Sequence, residues 1–351
     1  MTGFLKNILI KTIGIGFICL ILGFLTYSIN GDFYASYEQA EIIERAETFH
    51  SLSGQTNTVF IGSSRIFRHV DPALFDQHTG AKSYNLGFAG MFPYRSYQYL
   101  EYLNLEENED VKNIFIELSP IARLGENFNT DPFIYSINLD QYLEVVDFTL
   151  KSKYNGLLKA KYLGGYSLLF FYKYFGIGSS KYLNQFVWGP SLQTSETEKT
   201  NYHNGYISLD EDFARKGDNY ADLKNRNEGF LNNYEKELEA YFQAYHAVKN
   251  IEVDMSQDKF TSYVIDQAEA LIKKGKNVYF IISPRQEYDD LYYLLSQKKK
   301  LDKDYTIIDF SNPADFPPLY TKEYSFDRVH LNKRGAELFT EKLAESVRSN
   351  F

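Results

Sequence analysis

Five short runs rich in β-branched and aromatic residues, 57–61, 81–86, 113–118, 277–283 and 305–310, restrict the possible folds of this chain more than any other feature. Each is an almost continuous apolar run that ends at Gly, Ser, Pro or Asn, the pattern of a strand buried on both faces in a parallel sheet. Helical patterns lie between or after them. Asp71-Pro72 opens one as cap and first-turn proline, Phe260–Lys274 forms another with Gly275 beyond its end, and Lys333–Arg348 closes the chain. Alternating strands and helices predict a doubly wound α/β domain over residues 57–351. The span from about 120 to 260 has no comparable strand and reads as a large, mostly helical insertion, placed where it can form a lid or a substrate wall.

Ahead of the first strand, Thr12 to Gly31 holds 20 consecutive residues without a charge. At about 1.5 Å per residue, a helix of that length crosses the hydrocarbon core of a bilayer. Lys6 and Lys11 precede it and Asp32 follows, which predicts residues 1–11 in the cytoplasm and the rest of the chain outside, on the periplasmic side or the cell surface. A cleavable signal peptide is the competing reading. Its apolar core is shorter, about 7 to 15 residues, and ends at a small-x-small site that Ser28-Ile29-Asn30-Gly31 does not supply. Residues 32–56 read as a polar helix and linker.

The composition, 44% hydrophobic and 24% charged, is that of a folded protein. The net charge is −9, with acid spread along the chain, so there is no electrostatic footprint for nucleic acid. Beyond residue 32 there remain 35 basic and 45 acidic residues, and this net −10 leads to the expectation that no basic belt serves lipid headgroups. The one cysteine, Cys19, lies in the apolar run, which excludes disulfides, a cysteine zinc site and a cysteine nucleophile in the remainder. The histidines show no metal-ligand spacing, no phosphate-binding glycine loop exists, and no cofactor or metal is expected.

The first strand runs straight into Gly62-Ser63-Ser64-Arg65. A serine there sits at the rim where open α/β sheets bind ligands, although Ser63 or Ser64 serves equally as a helix N-cap. At the other end of the chain, Asp327 and His330 stand three residues apart just ahead of the last helix. A carboxylate in that turn can hold one imidazole nitrogen while the other faces a serine. Serine after the first strand and Asp-x-x-His before the last helix is a joint pattern with far fewer accidental matches than either part.

At these positions the chain resembles the SGNH (GDSL-like) hydrolases. The Gly-Ser-Ser form behind an apolar N-terminal segment is similar to membrane-anchored members that act on cell-envelope polymers. The resemblance covers 57–120 and 277–348. It implies a three-layer flavodoxin-like fold with strand order 2-1-3-4-5, Ser64 as nucleophile, His330 as base and Asp327 as its orienter. It also implies an oxyanion hole from the amides of Ser64 and Gly90, with Gly87 the alternative in Tyr84-Asn85-Leu86-Gly87-Phe88-Ala89-Gly90. Where the family carries a Gly-x-Asn-Asp turn after the third strand, this chain has Ser119-Pro120-Ile121-Ala122, so Ser119 or another group must take the place of the asparagine.

The expected activity is that of a serine esterase or O-acyltransferase on an acylated cell-surface glycan or lipid, with a membrane acyl-exporting protein as a candidate partner. Hydrolysis and transfer use the same residues, and sequence does not separate them. An outer-face lipase or lysophospholipase, and a catalytically silent scaffold of a polysaccharide export complex, are the alternatives. Arg65, Arg285 and Ser119 are candidate substrate-binding residues. For the arginines, pairing with neighbouring acids, Glu117 above all, is the competing reading.

Overall fold

The computed structural model describes residues 2–29, 45–46, 48–52, 54–88, 100, 103, 105–118, 142–143, 146–147, 149–150, 155–174, 204–216, 221–251, 259–288 and 291–350. The chain divides into two compact units, one of residues 1–44 and 125–201 and the other of residues 45–124 and 202–351. Of the span read from sequence as an insertion, the described residues 204–216 and 221–251 are grouped with the larger unit. Ser119, Gly90, Trp188 and about half of the insertion lie outside the described residues.

The larger unit is built on one all-parallel sheet. Its strands are β1 (Thr58–Ile61), β2 (Ser83–Asn85), β3 (Asn113–Glu117), β4 (Asn277–Ile282) and β5 (Thr306–Asp309), in the order β2-β1-β3-β4-β5. β1 and β3 are buried along their whole length, whereas the edge strand β5 is partly open. That is why β1 and β3 are almost continuously apolar in sequence. Register places Phe60 beside Phe115 and Phe115 beside Tyr279. Their rings stack across three strands at 4.8 and 4.7 Å. Such aromatic pairs add about 0.5–1.5 kcal/mol each beyond the area they bury.

The helices around the sheet start and stop where their end residues dictate. After α1 (Thr2–Ile29), α2 (Ser64–His69) follows β1 and α3 (Pro72–Thr79) follows α2. α3 is capped by Asp71, whose side chain accepts the Ala73 and Leu74 N–H groups. α4 (Gly156–Tyr174) belongs to the smaller unit, while α5 (Leu209–Lys216), α6 (Ala221–Val248), α7 (Lys259–Lys273), α8 (Leu291–Leu301) and α9 (Lys333–Val347) complete the larger one. α9 packs on α2 and α3, α7 on β4, and α6 on α8. The end of the expected linker also belongs to this unit, since Phe49 is buried and the buried Arg45 guanidinium donates to the carbonyls of Asn85 and Gly205.

The smaller unit contains α1, whose helical span covers the uncharged run up to Ile29, and α4, which packs against it. Among the described residues, no helix is long and apolar enough to cross a membrane.

Candidate active site

The chain turns out of β1 through Gly62, and only glycine fits there. A Cβ would lie 2.5 Å from Ile66 Cγ1 and 2.6 Å from Glu117 Cβ. Glu117, the last residue of β3, accepts the Ser63 N–H at 2.7 Å and Arg65 Nε at 2.6 Å. Both side chains of this ion pair are buried. One carboxylate therefore holds the loop on either side of Ser64. The N-cap falls on Ser63, which accepts the Arg65 N–H, so Ser64 becomes the first residue of α2 with its hydroxyl half-buried and uncommitted to capping.

The partner loop is a closed turn. Ser325 and Leu331 form an antiparallel bridge, and the His330 carbonyl accepts the N–H groups of Phe326 and Asp327. Asp327 Oδ1 accepts the N–H of Val329 at 2.7 Å and of His330 at 2.8 Å. Asn332 then caps α9 by accepting the Gly335 N–H. Gln286 N–H donates to the Arg328 carbonyl at 2.9 Å, which fixes the turn to the segment after β4.

These two loops bring the three residues together. Ser64 Oγ lies 2.9 Å from His330 Nε2, and His330 Nδ1 lies 3.0 and 3.1 Å from the two Asp327 oxygens. With the proton on Nδ1 directed at Asp327, Nε2 is left to accept the serine O–H. Asp327 is buried, and burial alone raises a carboxyl pKa; the His330 imidazole, Arg226 and the Val329 N–H outweigh it and hold Asp327 well below the ordinary carboxylate range.

Three residues near this site had no signal in the sequence. Arg226 of α6 bonds Asp327 Oδ2 through Nη2, and the same nitrogen lies 3.4 Å from His330 Nδ1. Its neighbour Asn227 donates to the Phe326 carbonyl at 2.6 Å. They lie about a hundred residues from the turn they brace, with no motif to connect them. His69 is the third: its buried Nε2 accepts the Leu331 N–H at 3.0 Å, and its ring stands edge-on to His330 with centroids 6.0 Å apart.

The remaining candidates are placed as follows. Arg65 is buried against Glu117, and Arg285 is buried and donates to the Glu287 carbonyl and carboxylate at 2.9 and 3.0 Å. The Gly87 N–H donates to Asn85 Oδ1 at 2.8 Å, so this amide is already engaged. A Cβ on Gly87 would meet the Phe67 backbone nitrogen at 2.5 Å, so glycine is required there for packing against α2. The Ser64 amide, at the first position of α2, belongs to the helix-start N–H groups that have no partner within the helix. Among the described residues, no group of three or more His, Cys, Asp or Glu side chains is arranged to hold a metal ion.

The arrangement can deprotonate a serine hydroxyl and stabilise the imidazolium that results. Compared with known proteins, the chain matches no family model and has no significant match among curated proteins.

Proposed function

We propose that the chain is an SGNH-type serine esterase or O-acyltransferase that acts on a cell-envelope polysaccharide or glycopolymer through an acyl-enzyme on Ser64. The observation that carries this reading is the contact series from Ser64 Oγ through His330 to Asp327. Ser64 Oγ attacks the acyl carbonyl as His330 Nε2 takes its proton, and the negative charge develops on the carbonyl oxygen. The Ser64 amide is one donor toward that oxygen, Gly90 or Gly87 is the further donor implied by the family resemblance, and Ser119 or another group stands in for the asparagine that this chain lacks. His330 then returns the proton to the departing sugar oxygen. In the second half, water or another sugar hydroxyl gives its proton to His330 as it attacks the acyl carbon, and His330 returns that proton to Ser64 Oγ as the acyl–serine bond breaks. Asp327 orients the imidazole and balances its charge in both halves, and Arg226 holds Asp327 on its other oxygen.

The envelope substrate rests on the family resemblance, supported by the apolar N-terminal segment. In this reading the helix anchors the chain by a single pass, with the sheet unit outside the cytoplasm. The test is acyl release or transfer from O-acylated envelope glycan by the full chain. Turnover that requires Ser64 supports the proposal, whereas an inert wild type on glycan, phospholipid and simple esters alike favours the scaffold.

A further inference from the structure

The exposed apolar side chains are concentrated in one part of the protein. Among the described residues, 18 large apolar side chains are exposed, and 14 of them belong to the unit formed by residues 1–44 and 125–201. Ten lie on α1 and four, Leu143, Leu150, Leu157 and Leu168, lie in the insertion. Leu157 is 84% exposed. A folded protein does not leave a concentration of this kind in water unless something covers it.

On α4, exposed Leu157, Lys161, Gly164 and Leu168 recur at helical spacing along one face, while Tyr162 and Tyr166 point the opposite way and are buried. α4 also packs against α1, the segment read as the anchor. The charge is as uneven as the apolar surface. Residues 148–195 contain six Lys and no Asp or Glu, in a chain whose net charge is −9. The same stretch holds the single Trp, Trp188, and many Tyr and Phe residues. The net charge of the whole chain does not report this local excess of lysine.

We infer that the insertion is a second membrane contact: the exposed face of α4 lies in the headgroup and upper acyl region of a phospholipid bilayer containing anionic lipid. Leu157 and Leu168 in the acyl region, with Lys161 between them reaching back to phosphate, are the chemistry of an interfacial helix. An apolar helix of a partner protein would match the leucines but gives no reason for six lysines without an acid. The inference rests on the anchored reading above, and it accounts for a glycan-modifying enzyme being held close to the membrane by more than one tether.

The experiment uses the full chain with Cys19→Ser, reconstituted in nanodiscs of phosphatidylcholine and phosphatidylglycerol. A bimane label is placed on Ile13→Cys, Leu157→Cys, Leu168→Cys or Leu231→Cys, and quenching by nitroxide-bearing lipids is read. Labels at 157 and 168 lose fluorescence to lipid nitroxide as the label at 13 does, while the label at 231, on α6 of the sheet unit, does not. Quenching at 13 with none at 157 and 168 overturns the inference and leaves the anchor standing. Quenching at 157 and 168 without quenching at 13 upholds the contact and overturns the anchor, and no quenching at any of the three overturns both.

Discussion

The backbone N–H of Leu331 donates to the buried Nε2 of His69 at 3.0 Å, joining the end of α2 to the loop that carries His330. A protonated His69 cannot accept that bond. Burial, followed by the nearby His330 and Arg65, with Arg68 adding and Asp327 partly opposing, holds the His69 pKa well below its ordinary 6.5.

Stability therefore depends on pH through this residue. The unfolded chain binds a proton on His69 below about pH 6.5 and the folded chain does not, so folding free energy falls as pH drops below that value, by up to about 1.4 kcal/mol per pH unit. Urea unfolding from pH 7.5 down to 5 should show this slope, and His69→Gln, which can still accept the Leu331 N–H, should flatten it. Equal slopes in both proteins would assign the acid sensitivity to other groups.

Asp327 has the opposite sign relation to protons. Its folded pKa lies below its ordinary value of 3.8, so its stabilising contribution is complete above about pH 4 and is lost as pH falls from there toward the folded value. Asp327→Asn should be less stable than wild type at pH 7, and the gap should close at strongly acid pH.

Gly62→Ala should destabilise the sheet unit by about 1–3 kcal/mol, the usual range for overpacking, because the new methyl meets Ile66 and Glu117. It should also reduce reactivity at Ser64, since Glu117 and Gly62 set the direction of the turn. Denaturation and probe labelling measure the two effects separately, and wild-type behaviour in both would refute the packing argument.

Arg226→Gln removes one charged partner of a buried carboxylate and should cost about 1.5–3 kcal/mol, the range for hydrogen bonds to charged groups. Combined with Asp327→Asn in a double-mutant cycle, it should show a coupling of about 0.5–3 kcal/mol. Additive losses would mean that the two side chains act independently.

Much of the fold was legible because the strands are buried on both faces and the helix ends carry their own signals. Asp71-Pro72 caps α3, Gly275 follows α7, and the strand order expected from the resemblance is the order of the sheet. The strand ends were less legible: the run 81–86 forms a strand only over Ser83–Asn85, because β2 is an edge where pairing stops before the pattern does. The juxtaposition of Ser64, His330 and Asp327 followed from position relative to the first strand and last helix. The roles of Arg226, Asn227 and His69 were not legible. Each depends on a contact between segments distant in sequence, and a charged residue on a polar helix face looks the same whether it meets solvent or Asp327. Arg65 and Glu117 were an exception, because adjacent strand ends made the pair geometrically evident.

Covalent labelling is the most direct test of the assignment of Ser64 as nucleophile. Serine becomes nucleophilic where an adjacent base takes its proton, here the His330 imidazole, so wild type incubated with a fluorophosphonate should acquire one adduct, located on Ser64 by peptide mass spectrometry. Ser64→Ala and His330→Ala should each abolish labelling and lower turnover to background, and the double variant should be scarcely worse than either, because residues that act as a unit are non-additive. An adduct on another residue, or full labelling and turnover in Ser64→Ala, would contradict the assignment.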